Sequence, residues 1–197
     1  MVVCAGRGEE FSFAQVIGVG LVESAINLTR ICLTQKVDEI IFVGSAGAYD
    51  KRVRVLDVFC ATQATQIESA SLTHNAYTPI TPRIESPKPV FCNVSYETML
   101  VNSSNYITTD SVVARKFVEQ GLGLENMEFF AVVEVARHFG IGCLGIFCVS
   151  NHCDSNAHRE FLRNREAVRE RIESLAPMLA HQSTRLAQTQ NLRQVDE

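Results

Sequence analysis

Residues 126–151 read NMEFFAVVEVARHFGIGCLGIFCVSN, a stretch that predicts one helix feeding one buried strand. Phe129, Phe130, Val132, Val133, Val135, Ala136 and Phe139 leave no continuous polar face, so the helix must be covered nearly all round. After Gly140 the chain turns, and Ile141, Leu144, Ile146, Phe147, Cys148 and Val149 follow without polar alternation. That is the pattern of a parallel strand buried on both faces. The strand closes on Ser150 and Asn151, where ligands of open α/β sheets bind, outside the carboxyl ends of the strands. Glu128 opens the greasy helix, and the helix dipole offers a carboxylate there about 0.3–1 kcal/mol. Burying an unpaired charge costs several kcal/mol. Glu128 therefore either reaches solvent or accepts hydrogen bonds, for instance from the hydroxyls of a sugar.

Working outward, Val2, Val3 and Cys4 predict a short first strand, followed by a loop, Ala5-Gly6-Arg7-Gly8-Glu9-Glu10, that carries two glycines, one cation and two carboxylates. Residues 13–16 predict a second strand. Leu21, Val22, Ala25, Ile26, Thr29 and Cys32 then recur at helical spacing after a Gly-rich turn. Residues 38–43 (DEIIFV) predict another buried strand, ending in Gly44-Ser45-Ala46-Gly47-Ala48. Glycines there let backbone amides approach a ligand, and Ser45 offers a hydroxyl and an amide to an anion or a water; a tight turn without a ligand is the alternative. A further strand is expected within residues 53–61. Residues 62–95, with four prolines, read as irregular loop with a short strand at 90–94. Thr109 or Asp110 is placed to cap a helix running to Gln120. The last helix starts near His158, with Phe161, Val168, Ile172, Leu175 and Leu179 on one stripe and Pro177 ending its regular part. Residues 182–197 read as a polar tail to a single domain of residues 1–181.

The chain has 197 residues, 46% of them hydrophobic, and a net charge of −4, enough to fill one large core. No basic run is interleaved with aromatics, which argues against nucleic acid. No apolar stretch is long enough to span a bilayer and no signal-peptide layout opens the chain, so a cytoplasmic protein is expected. Seven scattered cysteines, mostly in apolar runs, look like reduced buried thiols. His152, Cys153 and His158 come nearest to a metal site, but no second ligand pair stands at zinc-like spacing, so no metal is expected.

Taken in order, GVGLVESAINLTRICL, EIIFVGSAGA, VLDV, the Tyr106-Ile107 pair, NMEFFAVVEVA, IFCVSN and AHREF resemble the nucleoside phosphorylase and nucleosidase family of purine nucleoside phosphorylases and methylthioadenosine nucleosidases. The resemblance covers about residues 16–179, with GSAGA and Met127-Glu128 its most specific pieces. It implies a single α/β domain with a mixed, twisted, partly barrel-like central sheet flanked by helices. It also implies cleavage of the bond between a purine and ribose, attacked by phosphate or water, without a cofactor, in a homo-oligomer. Carried over by position, Gly44 and Ser45 line the nucleophile pocket, Met127 and Glu128 the ribose. Tyr106 stacks on the base, Ile107 touches it through its backbone, and Ser150 and Asn151 reach the purine edge.

Three departures shape the expected chemistry. Where nucleosidases and hexameric phosphorylases carry an Asp that protonates the leaving base, this chain has Asn151, and an amide has no proton to give as a general acid. An Asn used as in the trimeric members favours 6-oxopurine nucleosides. The arginine that bacterial phosphorylases place three residues before the pocket serine is Phe42 here, so Arg7, Arg52 or Arg54 is left to hold an anion. The amino-terminal part is shorter than usual, with Glu9 or Glu10 placed to activate water. The reading is a purine nucleoside phosphorylase acting on inosine or guanosine with inorganic phosphate as co-substrate. The alternatives are a hydrolytic nucleosidase and a nucleoside-binding protein with weakened catalysis.

Overall fold

The computed structural model describes residues 1–90 and 96–179. In chain order the elements are β1 (Val2–Cys4), β2 (Gln15–Val16), α1 (Leu21–Thr34), β3 (Glu39–Ala48), β4 (Val58–Ala61), β5 (Gln63–Thr65), α2 (Ser69–Leu72), β6 (Arg83–Glu85), β7 (Val101–Ser103), α3 (Ser111–Glu119), β8 (Leu124–Asn126), α4 (Phe129–Phe139), β9 (Gly142–His152) and α5 (Ala157–Glu173).

Strands β3 and β9 run parallel along nearly their whole length, from Glu39 opposite Gly142 to Ala48 opposite His152, with one register shift at Ala46/Gly47. On its other edge β3 is shared: Ile41 and Phe42 lie opposite β1, whereas Gly47 and Ala48 pair antiparallel with β8. β9 takes β4 antiparallel on its far side, β5 pairs with β7, and β7 with β8. Only Thr62 separates β4 from β5, so the pairings close a ring through β3, β9, β4–β5, β7 and β8. This mixed sheet is thus partly barrel-like and flanked by helices.

Both faces of β3 and β9 are covered, which explains why their sequences do not alternate. Phe42, Phe129 and Phe147 meet on one face, with ring centroids 5.2–6.1 Å apart, under α1 and α4. Ile41, Val43, Leu144 and Ile146 meet Val168 and Ile172 of α5 on the other. Each buried Phe or Ile contributes roughly 1.5–3 kcal/mol relative to exposure. In α4 the exposed edge carries Glu134, Arg137 and His138, and Phe130 and Phe139 are half-buried.

Several elements differ from expectation. GSAGA is not a turn: residues 44–48 continue β3, because β9 goes on pairing with them as far as His152. Of the strand expected in residues 13–16 only Gln15–Val16 forms, and residues 53–57 turn before β4, with Leu56 at φ 72. The helix expected to open at Glu128 begins at Phe129 with Glu128 as its N-cap, and residues 124–126 are strand. Polar residues 101–103 are the buried strand β7, and the proline-rich segment contains α2, β5 and β6. Asp110 does cap α3, accepting the Val112 N–H. α5 ends at Glu173, four residues before Pro177. The strand expected at 90–94 and the tail at 182–197 fall, all but Val90, outside the described residues. No described helix is long and apolar enough to cross a membrane.

Gly145 carries a close approach in this core. A Cβ there would lie 2.4 Å from the Phe147 ring and 2.8 Å from the Phe129 ring, both locked in the aromatic cluster. Gly145→Ala is expected to cost about 1–3 kcal/mol in urea unfolding, and an unchanged midpoint would contradict this packing.

Candidate functional site

Over the carboxyl ends of β3 and β9 lies a cavity of about 300 Å³, bordered also by the β1 loop, the β8–α4 junction and the start of α5. Asn126 organises the junction. Its Oδ1 accepts the N–H groups of Glu128 and Phe129, at 2.8 and 2.9 Å, satisfying donors that a helix start leaves open. Its Nδ2 donates to the carbonyl of Ser45 at 3.2 Å, tying this helix start to β3.

The choice posed by Glu128 is settled in favour of burial. The residue is 4% exposed, and its Oε1 accepts the Gly20 N–H at 3.0 Å. Gly20 has φ +83, and a Cβ on it would meet Asn105 Oδ1 at 2.8 Å, so only glycine brings this amide to the carboxylate. Burial pushes the Glu128 carboxyl up to about 7, the Gly20 N–H pulls it back, and the charge of Glu9 pushes the same way as burial.

Glu9 reaches the cavity from the loop after β1 and takes both donors of Ser45. The Ser45 N–H donates to Oε2 at 3.1 Å and the Ser45 hydroxyl donates to Oε1. Burial raises the Glu9 carboxyl, opposed by these two hydrogen bonds and, more weakly, by the Arg165 guanidinium. At the other end, the Ser150 hydroxyl donates to Asn151 Oδ1 at 2.7 Å, and Asn151 Nδ2 donates to the His152 carbonyl at 3.2 Å. An amide nitrogen carries two hydrogens, so Asn151 keeps a second one to donate.

The cavity brings together Arg7, Glu9, Ser45, Ile107, Met127, Glu128, Ser150 and Asn151. Gly44 and Glu10 are not among its lining residues, and Glu10 accepts the Gly8 N–H. Tyr106 is 77% exposed and borders a neighbouring pocket instead. Arg52 and Arg54 pair with Asp50 and Asp57, neither beside this cavity. Phe42 lies buried in the aromatic cluster. Arg7 is held at 3.4 Å by Glu23. His152 Nε2 lies 2.9 Å from the Val53 carbonyl, the Cys153 thiol donates to Glu125, and His158 borders the cavity. Among the described residues no group of His, Cys, Asp and Glu is arranged to hold a metal.

Sequence reasoning gave no site role to Asn126, Glu125, Arg165, Val19 or Phe161, and weighed His158 only as a metal ligand. Asn126 had a signal, an Asn just ahead of an apolar helical run. Arg165 had none, because only the fold sets a residue of α5 beside the β1 loop.

A ring-closed mixed sheet flanked by helices, with a hollow bordered by three carboxylates over its two longest strands, defines the α/β class of the protein. The chain belongs to the Phosphorylase superfamily, whose family model matches residues 2–180. It is 26% identical over 157 residues to a DeoD-type purine nucleoside phosphorylase of Clostridium beijerinckii, which spans 74% of this chain and 65% of that protein. Its fold is similar to that of a mutant of the Helicobacter pylori nucleosidase MTAN solved with 5'-methylthioadenosine in the active site (TM-score 0.74, 17% identity, 93% of this chain and 97% of that one). It is similar also to the futalosine hydrolase of the same bacterium (TM-score 0.73, 16% identity, 93% and 96%).

A carboxyl that binds its proton more tightly when folded stabilises the fold in full below its unfolded value and loses that contribution as the pH rises through its folded one. For Glu128 the window runs from 4.5 to about 7, or about 3 kcal/mol at about 1.4 kcal/mol per pH unit. The ligand-free protein should therefore be less stable at about pH 8 than at about pH 5 in urea unfolding. Glu128→Gln should flatten that slope, and Glu9, shifted in the same direction, should keep part of it. Equal stability at both pH values would mean that neither carboxylate is desolvated.

Proposed function

We propose that this protein is a purine nucleosidase that cleaves the N-glycosidic bond with water and prefers 6-oxopurine nucleosides such as inosine. The observation that carries the choice of water is the Glu9–Ser45 pair: the hydroxyl and amide that would cradle a phosphate are already donated to a carboxylate. A phosphate dianion would have to displace Glu9 and then sit in a hollow that Glu125 and Glu128 also border. A water needs only an acceptor, and Glu9, whose carboxyl is raised by burial, is a suitable general base.

In this reading the bond between C1' and the purine nitrogen breaks with its electron pair moving onto the base. Water adds to C1', and Glu9 takes its proton. Glu128 accepts the ribose hydroxyls, which restores hydrogen bonds to a buried carboxylate. Asn151 donates its remaining N–H to the base, where charge gathers on the lactam. One well-placed donor to a developing anion is worth roughly 2.7–4 kcal/mol, and the departing base takes its proton from solvent.

Phosphorolysis is the second reading, supported by the DeoD-type relative and by two arginines, Arg7, which lines the cavity, and Arg165, whose charge acts on Glu9. Hypoxanthine release from inosine separates the two. The proposal expects equal rates with and without phosphate and free ribose as product; a strict phosphate requirement with ribose 1-phosphate formed would overturn it. Glu9→Gln is expected to lower kcat about 10²–10⁴-fold with little change in KM. Asn151→Asp is expected to move preference towards adenosine, and unaltered selectivity would take the base-reading role from Asn151.

A further inference from the structure

Glu125 is a buried carboxylate that the chemistry above leaves unused. It is 7% exposed, lies three residues before Glu128 across Met127, and has no cation among its hydrogen-bond partners. Four neutral donors meet it instead. The Tyr49 hydroxyl donates to Oε2 at 2.9 Å, the Thr108 N–H to Oε1 at 2.9 Å, the Thr108 hydroxyl to Oε2, and the Cys153 thiol to Oε1 at 3.8 Å. A carboxylate offers about four lone-pair sites. Glu125 is therefore saturated, and a ligand would gain no acceptor from it.

Two of those donors belong to one residue of the segment 104–110, which runs between the main cavity and a pocket of about 180 Å³. Ile107 and Glu125 are the residues that border both hollows. The segment is tied again further back. Asn105 Oδ1 accepts the Leu21 N–H at 3.0 Å, next to the Gly20 N–H that Glu128 holds, and the Ser104 hydroxyl donates to Glu68. Between the Asn105 and Thr108 ties stand Tyr106, whose ring is exposed, and Ile107, half of whose surface is open while the rest borders the cavity. Neither is held by core packing, so hydrogen bonds alone fix where Ile107 stands.

We infer that Glu125 is a positioning residue for substrate binding: by gripping Thr108 through both its N–H and its hydroxyl, it sets Ile107 as the wall against which a purine is held. The inference rests on the nucleoside reading above for the identity of the ligand, not for the clamp itself. The network behind Glu125 is anchored in buried residues. Tyr49 stacks on Phe117 with ring centroids 4.4 Å apart, and its hydroxyl accepts from Asn102, which also bonds Thr65 and both backbone groups of Ile67. Position is thus passed from a packed core through one carboxylate to a loop that has no core of its own.

Glu125→Gln keeps the shape but turns one acceptor oxygen into a donor facing donors. Thr108→Val removes only the hydroxyl and serves should the first variant fail to fold. Both are expected to raise KM for inosine about tenfold or more while kcat changes much less, the mark of lost uniform binding. Amide exchange in the ligand-free protein is expected to quicken across residues 105–109 and not in β3 or β9. In an Ile107→Ala background the KM effect of Glu125→Gln should shrink, because the two act as one unit. Unchanged KM in both variants, exchange that quickens throughout the sheet, or a fall in kcat at constant KM would overturn the clamp. If the unaltered protein cleaves no purine nucleoside, the nucleosidase reading fails, and the exchange measurement still decides whether Glu125 holds the segment.

Discussion

The parallel pairing of β3 with β9 is the constraint on which the rest of the molecule depends. Ten residue pairs in register set Ser45 opposite Cys148 and, after the shift at Ala46/Gly47, Gly47 opposite Asn151. Both strands are apolar on two faces, so neither can slip by one residue without exchanging one buried side-chain set for the other. The aromatic cluster under α4 and the aliphatic cluster under α5 oppose such a slip from both sides. A rigid floor results, and its carboxyl end is where the chain places groups that cost free energy to bury.

Three carboxylates, Glu9, Glu125 and Glu128, border one small hollow, and each is handled differently. Glu9 is met by Ser45, Glu125 by four neutral donors, and Glu128 by the Gly20 N–H together with its place at a helix start. Burial raises all three. Glu125 alone is saturated, which marks it as part of the frame. The charge of Glu9 adds to the cost of ionising Glu128, a cost that hydrogen-bond donors brought to either carboxylate would lower.

Much of this was legible in the residues. The non-alternating runs in 126–151 and 38–43 announced strands buried twice over, and the Glu at the head of a greasy helix announced a carboxylate in need of partners. Other parts were hidden for physical reasons. GSAGA looks like a turn because glycine favours turns; it is strand because β9 offers it a partner over its whole length, a fact carried by residues a hundred positions away. β7 hid behind polar letters, since Asn102 and Ser103 are buried by hydrogen bonding to Thr65, Tyr49, Ile67 and Phe130 rather than by apolar packing. Local pattern could place Arg7 in a loop after a strand but could not reveal that Arg52 and Arg54 spend their charge on nearby aspartates.

In the proposed function a sugar is held at Glu128, a base at Asn151 and a water at Glu9. The most direct measurement is a crystal structure of the protein with a non-hydrolysable inosine analogue. The account predicts ribose hydroxyls within hydrogen-bond distance of Glu128, the lactam edge facing Asn151 Nδ2, and a water between Glu9 and C1'. An analogue bound away from these three residues, or a phosphate seated on Ser45 with Glu9 turned out, would contradict it.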